Sequence, residues 1–325
     1  MDRIVFAAVS LHNFALTRNR KIAQLGAYRI VKVLPNILAD KESYDAAITE
    51  MRSNDRLTDW TDTLRRGYEQ LSEGRPKYIL YYFPPPEIAK HWFSPRSRER
   101  DLDRALLQLD SFLIALRLRK PERVFMPPET VLAMAVPAPE IFSIYKGEAP
   151  ATSEFVPHMN RPPYLGKESV YRLGARDLAA VERACELASA GFETSLAVPM
   201  RRFIESQEKP AADRFIDLLV ALEALYGDED STSAAHKIAF RAATVVGTSP
   251  SRREKLFPLI KKIYGQRSRI LHGRSAGTSL DNMRELEDVV RDSLVWFLER
   301  LSLTGVAPIA PDIDKMCFDS VVVRP

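Results

Sequence analysis

From Asp177 to Leu301 the chain contains five apolar-striped segments, four of them closed by a glycine or opened by a capping residue. This punctuation is the strongest constraint on the fold. Asp177–Ala190 stops at Gly191, Ala211–Tyr226 at Gly227 and Ala234–Val246 at Gly247. Glycine is the preferred residue just beyond a helix end. Ser231, Thr232 or Ser233 opens the third segment. Ser251-Arg252-Arg253-Glu254 has the capping-box pattern and opens a fourth that runs to about His272, before Gly273. Pro258 lies inside its early turns, where a kink is expected. The fifth, Asp281–Leu301, carries Leu286, Val290, Leu294, Phe297 and Leu301 at helical spacing. Helices joined by short connections predict an antiparallel bundle.

The first half has a different pattern. Ile4–Val9, Tyr28–Leu34, Tyr78–Phe83 and Arg123–Phe125 are β-branched or aromatic, and read as strands. Tyr44–Leu71 and Arg100–Leu118 read as helices. The second has Leu102, Leu106, Leu109, Leu113 and Leu116 on one face. Between Pro137 and Pro163 prolines crowd a stretch of little periodicity, which predicts a connecting segment. The expected fold class is α+β: a mixed α/β domain over residues 1–160, a helical bundle over 161–304 and a C-terminal tail over 305–325.

Several function classes drop out. No Walker-type or dinucleotide glycine loop is present. His12, His91, His158 and His236 are isolated from one another and from both cysteines, so no metal site or cofactor is expected. No apolar run approaches the roughly 20 residues of a membrane helix. The opening MDRIVFAAVS reads as a strand rather than a leader. Two widely separated cysteines, Cys185 and Cys317, suit a reducing cytoplasm. Net charge is +4, which permits nucleic acid as a partner without requiring it. The charge-alternating stretch Arg96–Arg104 reads as a solvated helix start. With Arg117, Arg119, Lys120 and Arg123 it would make a basic patch open to RNA.

Polar groups embedded in apolar stripes mark the candidate site. Phe215–Tyr226 is apolar almost all round, yet Glu223 shares a face with Ile216, Leu219 and Tyr226. A carboxylate there needs a proton, a cleft or a cation. The fourth segment has Leu256, Ile260, Ile263, Tyr264, Arg267, Ile270 and Leu271 in its stripe, with Arg267 where an apolar residue would fit. Glu223 is its simplest partner. A buried ion pair that only sets helix register leaves the same signature. His272 follows after four residues and adds a group that moves protons near neutral pH. On a straight helix, five positions turn two side chains about 140° apart. Either the last turn loosens, or the groups meet along a seam with a second chain, where Gly265 would allow close approach.

The stretch Asp213–Tyr226 resembles the D-L-x-x-A-L-E-x-L helix of HEPN domains, in particular their ApeA-like group. Tyr264–Gly273 resembles that group's Y-x-x-R-S-x-x-x-H-G segment, and Lys237–Ala243 its third helix. The resemblance covers about Asp177–Leu301. It implies a HEPN-like bundle that forms a homodimer, with Arg267 and His272 of both chains lining one cleft. It further implies a metal-independent endoribonuclease of host defence or stress response. Arg267, His272 and Glu223 would be the catalytic set, with Ser268, Tyr264 and Arg269 supporting. The alternative is a non-catalytic HEPN module that binds a ligand or nucleic acid. Ser268 departs from the amide or acidic residue that follows the arginine in many active members of the family.

Overall fold

The computed structural model describes residues 4–11, 13–17, 22–33, 77–82, 84, 98–121, 124, 129–135, 152–157, 170–228, 233–271 and 280–322. The architecture is α+β, with strands concentrated in the first half and helices in the second. It divides into two compact units. One comprises residues 1–110 and 122–182, the other 111–121 and 183–325.

The first unit is built on strands β1 (Ile4–Leu11), β2 (Phe14–Leu16), β3 (Ile22–Leu25), β4 (Tyr28–Val33), β5 (Lys77–Tyr82), β6 (Glu129–Ala135), β7 (Thr152–Pro157) and β8 (Tyr171–Leu173). Six of them form an antiparallel sheet in the order β3-β4-β5-β1-β6-β7. Register explains the alternation in β5. Tyr78, Leu80 and Tyr82 are all buried, and Leu80 stands opposite both Ile30 and Val9, themselves buried. Side chains two apart share a face, so these residues form one apolar row across three strands. β2 and β8 pair in parallel, with Phe14 stacked on Tyr171 at 5.9 Å.

Three strand expectations coincide with β1, β4 and β5. The fourth, Arg123–Phe125, and the reading of the proline-rich segment need correction. Val124 has no regular structure, and the strand nearby is β6. The proline-rich segment is not only a connection, since β7 lies within it and pairs with β6 through Thr152–Pro157. Proline tolerates a strand end or edge, where no ladder N–H is required, and Pro157 closes this edge strand. The expected helix Tyr44–Leu71 lies outside the described residues.

The helices are α1 (Arg98–Arg119), α2 (Leu178–Phe192), α3 (Ala197–Ser206), α4 (Ala211–Tyr226), α5 (Ala234–Val246), α6 (Pro250–Leu271), α7 (Leu280–Thr304) and α8 (Ala310–Val322). The first part of α1 belongs to the first unit and Ser111–Arg119 to the second. In the second unit α4 is the central element and packs against α3, α5, α6 and α7. Its Phe215, Leu218, Leu219, Ala221, Leu222 and Tyr226 are fully buried, which accounts for its nearly continuous apolar sequence. Tyr226 donates to Ser293 Oγ at 2.8 Å and meets Phe297 edge to face.

Some glycines and caps act differently from their sequence reading. Gly191 does not stop α2, which continues to Phe192. A Cβ at Gly191 would lie 2.5 Å from Leu298 Cδ2 and 2.9 Å from Met200 Sδ, so the glycine serves close approach. α6 is capped two residues earlier than the capping box suggests. Ser249 Oγ accepts the Arg252 N–H at 3.3 Å, and Pro250 takes the first helical position. The tail after residue 305 forms α8, held by Asp314. Arg241 of α5 grips Asp314 through Nε at 2.8 Å and Nη2 at 2.7 Å, donates to Tyr226 O at 2.7 Å and reaches Asp228 at 2.8 Å. Hydrogen bonding from Arg241 holds the Asp228 carboxyl below its ordinary pKa.

Arg117 also departs from its sequence reading. It is buried, its side chain 2% exposed, and cannot belong to a surface basic patch. Its Nη1 donates to Ile204 O at 2.6 Å, and Nη2 meets Glu208 at 2.8 Å, that carboxylate being 5% exposed. Its carbonyl accepts Arg291 Nε at 3.2 Å, and Arg291 also pairs with Glu287 at 3.0 Å. Glu287 in turn pairs with Arg214. Breaking a buried ion pair leaves an uncompensated charge, and costs about 3–5 kcal/mol. Arg117→Met is therefore expected to lower the urea unfolding midpoint by a stability loss of that order. Adding Glu208→Leu should recover part of it; a single variant as stable as wild type would refute this role.

Candidate functional site

Two helices bring the candidate residues together. α4 carries Glu223 in its last turn, where the backbone is fixed by its own ending. Gly227 N–H bonds Glu223 O at 2.8 Å, and a Cβ at Gly227 would lie 2.5 Å from that carbonyl. Arg241, bonded to Tyr226 O, ties down the same end. α6 is anchored by Leu256, Ile260 and Ile263, which are buried against the core. Tyr264 and Arg267 follow on the margin of that stripe.

The spacing places Tyr264 and Arg267 three residues apart, one above the other on α6. Both converge on a single oxygen. The Tyr264 hydroxyl donates to Glu223 Oε1 at 2.5 Å, and Arg267 Nη1 lies 3.2 Å from the same atom. The pairing anticipated from the two interrupted stripes is thus present. Its environment differs from the expectation of a buried pair: the side chains are 27% exposed at Glu223 and 38% at Arg267. An ion pair at this exposure contributes about 1 kcal/mol or less. The apolar stripe overlaps both residues because it runs to the edge of the packed face, and burial there is only partial.

Partial exposure changes what the arginine can do. Its Nε is buried and has no hydrogen-bond partner among the described residues. The rest of the guanidinium is held on one side by Glu223 and reaches solvent. A planar, pre-oriented guanidinium of this kind can receive an oxyanion. Tyr264 has the opposite character. Burial, together with its bond to Glu223 and the carboxylate's charge, pushes the phenol up to about 12, with Arg267 opposing. Near neutrality the phenol remains a hydrogen-bond donor that orients Glu223.

The other expected site residues are placed as follows. Gly265 is exposed, and a Cβ there would meet no atom of the described residues within 4 Å. Ser268 and Arg269 lie on the last turns of α6, with side chains outside the described residues. His272 also lies outside them. No group of His, Cys, Asp and Glu able to hold a metal ion occurs among the described residues. Among those residues, no helix is long and apolar enough to cross a membrane.

Sequence reasoning did not single out Lys261 and Lys262, exposed one turn before the site. Nor did it anticipate that His236 on α5 sets its ring 5.1 Å from Phe257 of α6. The only available signal was the i, i+4 placement of Phe257 and Lys261, which many solvated helices share.

No family model, curated protein or solved structure matches the chain.

The phenol couples the site to alkaline stability. Its folded pKa lies above the value near 10 of an unfolded tyrosine. Its contribution is complete below pH 10 and is lost as pH rises toward 12, because the unfolded chain ionises first. Tyr264→Phe is expected to flatten the fall in urea stability between pH 10 and 12 relative to wild type. An identical slope in both proteins would contradict the environment described for this hydroxyl.

Proposed function

We propose that this chain is a HEPN-type endoribonuclease that cleaves RNA without a metal ion. Arg267, His272 and Glu223 would carry the reaction, at a cleft shared by two copies. The observation that carries this reading is the Glu223–Arg267 pair. The guanidinium is oriented by a carboxylate that Tyr264 also grips, yet it remains open to solvent. The resemblance of Tyr264–Gly273 to the Y-x-x-R-S-x-x-x-H-G segment supplies the partner histidine.

The chemistry follows from the residue types. A base removes the proton of a ribose 2′-hydroxyl, and the 2′-oxygen forms a bond to the adjacent phosphorus. The bond from phosphorus to the 5′-oxygen breaks, and an acid protonates that oxygen. The products are a 2′,3′-cyclic phosphate and a free 5′-hydroxyl. Charge builds on the non-bridging oxygens during attack, and Arg267 would stabilise it. His272 would serve as acid or base, an imidazole being suited to both near neutral pH. A second copy would supply the complementary proton-transfer group. Glu223 and Tyr264 would hold Arg267 in place, with Ser268 and Arg269 supporting from the same turn.

A second reading has its own support. Glu223 Oε1 is already engaged by two donors, which is a self-contained hydrogen-bonded unit. In that reading the helical unit is a non-catalytic HEPN module that dimerises, and binds a ligand or nucleic acid uncut. The cytoplasm is the compartment proposed for either role.

Purified protein incubated with mixed RNA in EDTA discriminates the two. Cleavage with 2′,3′-cyclic phosphate ends is expected, falling at least about 100-fold in Arg267→Ala and in His272→Ala. Glu223→Gln, which keeps the shape but not the charge, is expected to fall less. Intact RNA with wild type, or undiminished cutting in either of the first two variants, would remove the nuclease assignment.

A further inference from the structure

Next to the candidate site lies a surface that core packing does not require. On α5, His236 is exposed, and Phe240 one turn further is 43% exposed. On α6, Phe257 is partly exposed and stands edge to face with His236, their centroids 5.1 Å apart at 77°. An edge-to-face pair covers at most one face of one ring. One turn beyond Phe257, Lys261 and Lys262 are exposed, with no ion-pair partner among the described residues. Aromatic rings left at the surface, with the Lys261 ammonium beside them and without an ion-pair partner among the described residues, suit a ligand with flat faces and negative charge.

We infer that the His236–Phe257 pair, with Lys261 beside it, is a stacking subsite for a base of single-stranded RNA next to Arg267. This rests on the RNA-cleaving reading of that site. Helix geometry supplies the continuity. Phe257 and Tyr264 are seven residues apart, which puts them on one face with an offset of about 20°. They are separated by about 10 Å along the axis. Arg267 lies one turn further. Lys261 stands about 40° to one side of Phe257 and Arg267 about 80° to the other, so a strand leaving the aromatic pair along the helix would have the ammonium on one flank and the guanidinium, about 15 Å further on, at the other. Glu254, exposed one turn before Phe257, repels phosphate and sets the direction of the strand toward Arg267. Stacking accepts every base because each has a π face, whereas lysines hold the backbone as point charges. The subsite thus selects unpaired RNA over duplex, whose bases are already stacked, without choosing a sequence.

The test measures binding apart from cleavage. The probe is a short fluorescein-labelled 2′-O-methyl oligouridylate, which lacks the nucleophile and cannot be cut. An abasic version of the same length is the control, and fluorescence anisotropy of the full chain is the readout. Wild type is expected to bind the base-containing probe more tightly than the abasic one. His236→Ala with Phe257→Leu should weaken the base-containing probe about tenfold while moving the abasic probe by less than about twofold. Lys261→Glu should weaken both and reduce the salt dependence. His236→Ala alone, at an exposed position, gives the direction of the effect if Phe257→Leu does not fold.

Equal binding of the two probes by wild type would overturn the subsite, as would unchanged binding in the aromatic variants. Displacement by polyglutamate as effective as by unlabelled RNA would assign the surface to acidic peptide and overturn it too. The two readings fail separately. Loss of cleavage in Arg267→Ala with binding indifferent to His236 and Phe257 rejects the subsite alone. Base-dependent binding through that pair, with no RNA cut by wild type, rejects the nuclease alone.

Discussion

The burial of α4 on nearly every side is the constraint from which the second unit follows. A helix whose apolar residues extend around its circumference cannot stay at a surface without exposing several large side chains. The surrounding helices supply the cover, and they take their positions from it. Glu223 is the exception that makes this helix chemically interesting. It lies in the last turn, where cover from α6 thins, so its carboxylate meets Tyr264 and Arg267 rather than hydrocarbon. A pair at the rim of a packed core gains orientation from packing without suffering the full desolvation of a buried ion pair.

The buried charges of this unit have a different purpose. Arg117, Glu208, Arg291, Glu287 and Arg214 form a connected chain well removed from solvent. Arg241 joins the end of α4 to α8 through Asp228 and Asp314. These contacts fix which helix ends lie together. By contrast, the Glu223–Arg267 pair is too exposed to contribute much to stability. The difference in exposure separates the networks that hold the bundle from the pair that faces solvent.

How much was legible in advance varied with the type of signal. The helix α4 was bounded correctly because Gly227 and the apolar run both end it. α5 was bounded equally well by Gly247. The partner of Arg267 was legible because two apolar stripes were each interrupted by one opposite charge. α3 was not anticipated, since Pro199 and the pair Arg201-Arg202 interrupt its sequence pattern, although Met200, Phe203 and Ile204 are buried. β7 was hidden by the prolines around it, because pairing with β6 is a long-range choice that composition does not record. Arg117 looked like a surface cation; only the approach of α3 gave its guanidinium a carbonyl and a carboxylate within the core.

Local chemistry alone determined the helical second half, the α+β class, the ends of α4 and α5 and the unusual standing of Glu223 and Arg267. Those features depend on periodicity and on glycine, which act over a few neighbouring residues. Tertiary structure decided that the carboxylate and guanidinium share an oxygen with a tyrosine, and how far they face water. It also decided that His236 meets Phe257. Such contacts join residues distant in sequence, and depend on how helices pack, a balance of buried area and steric fit that no single segment contains.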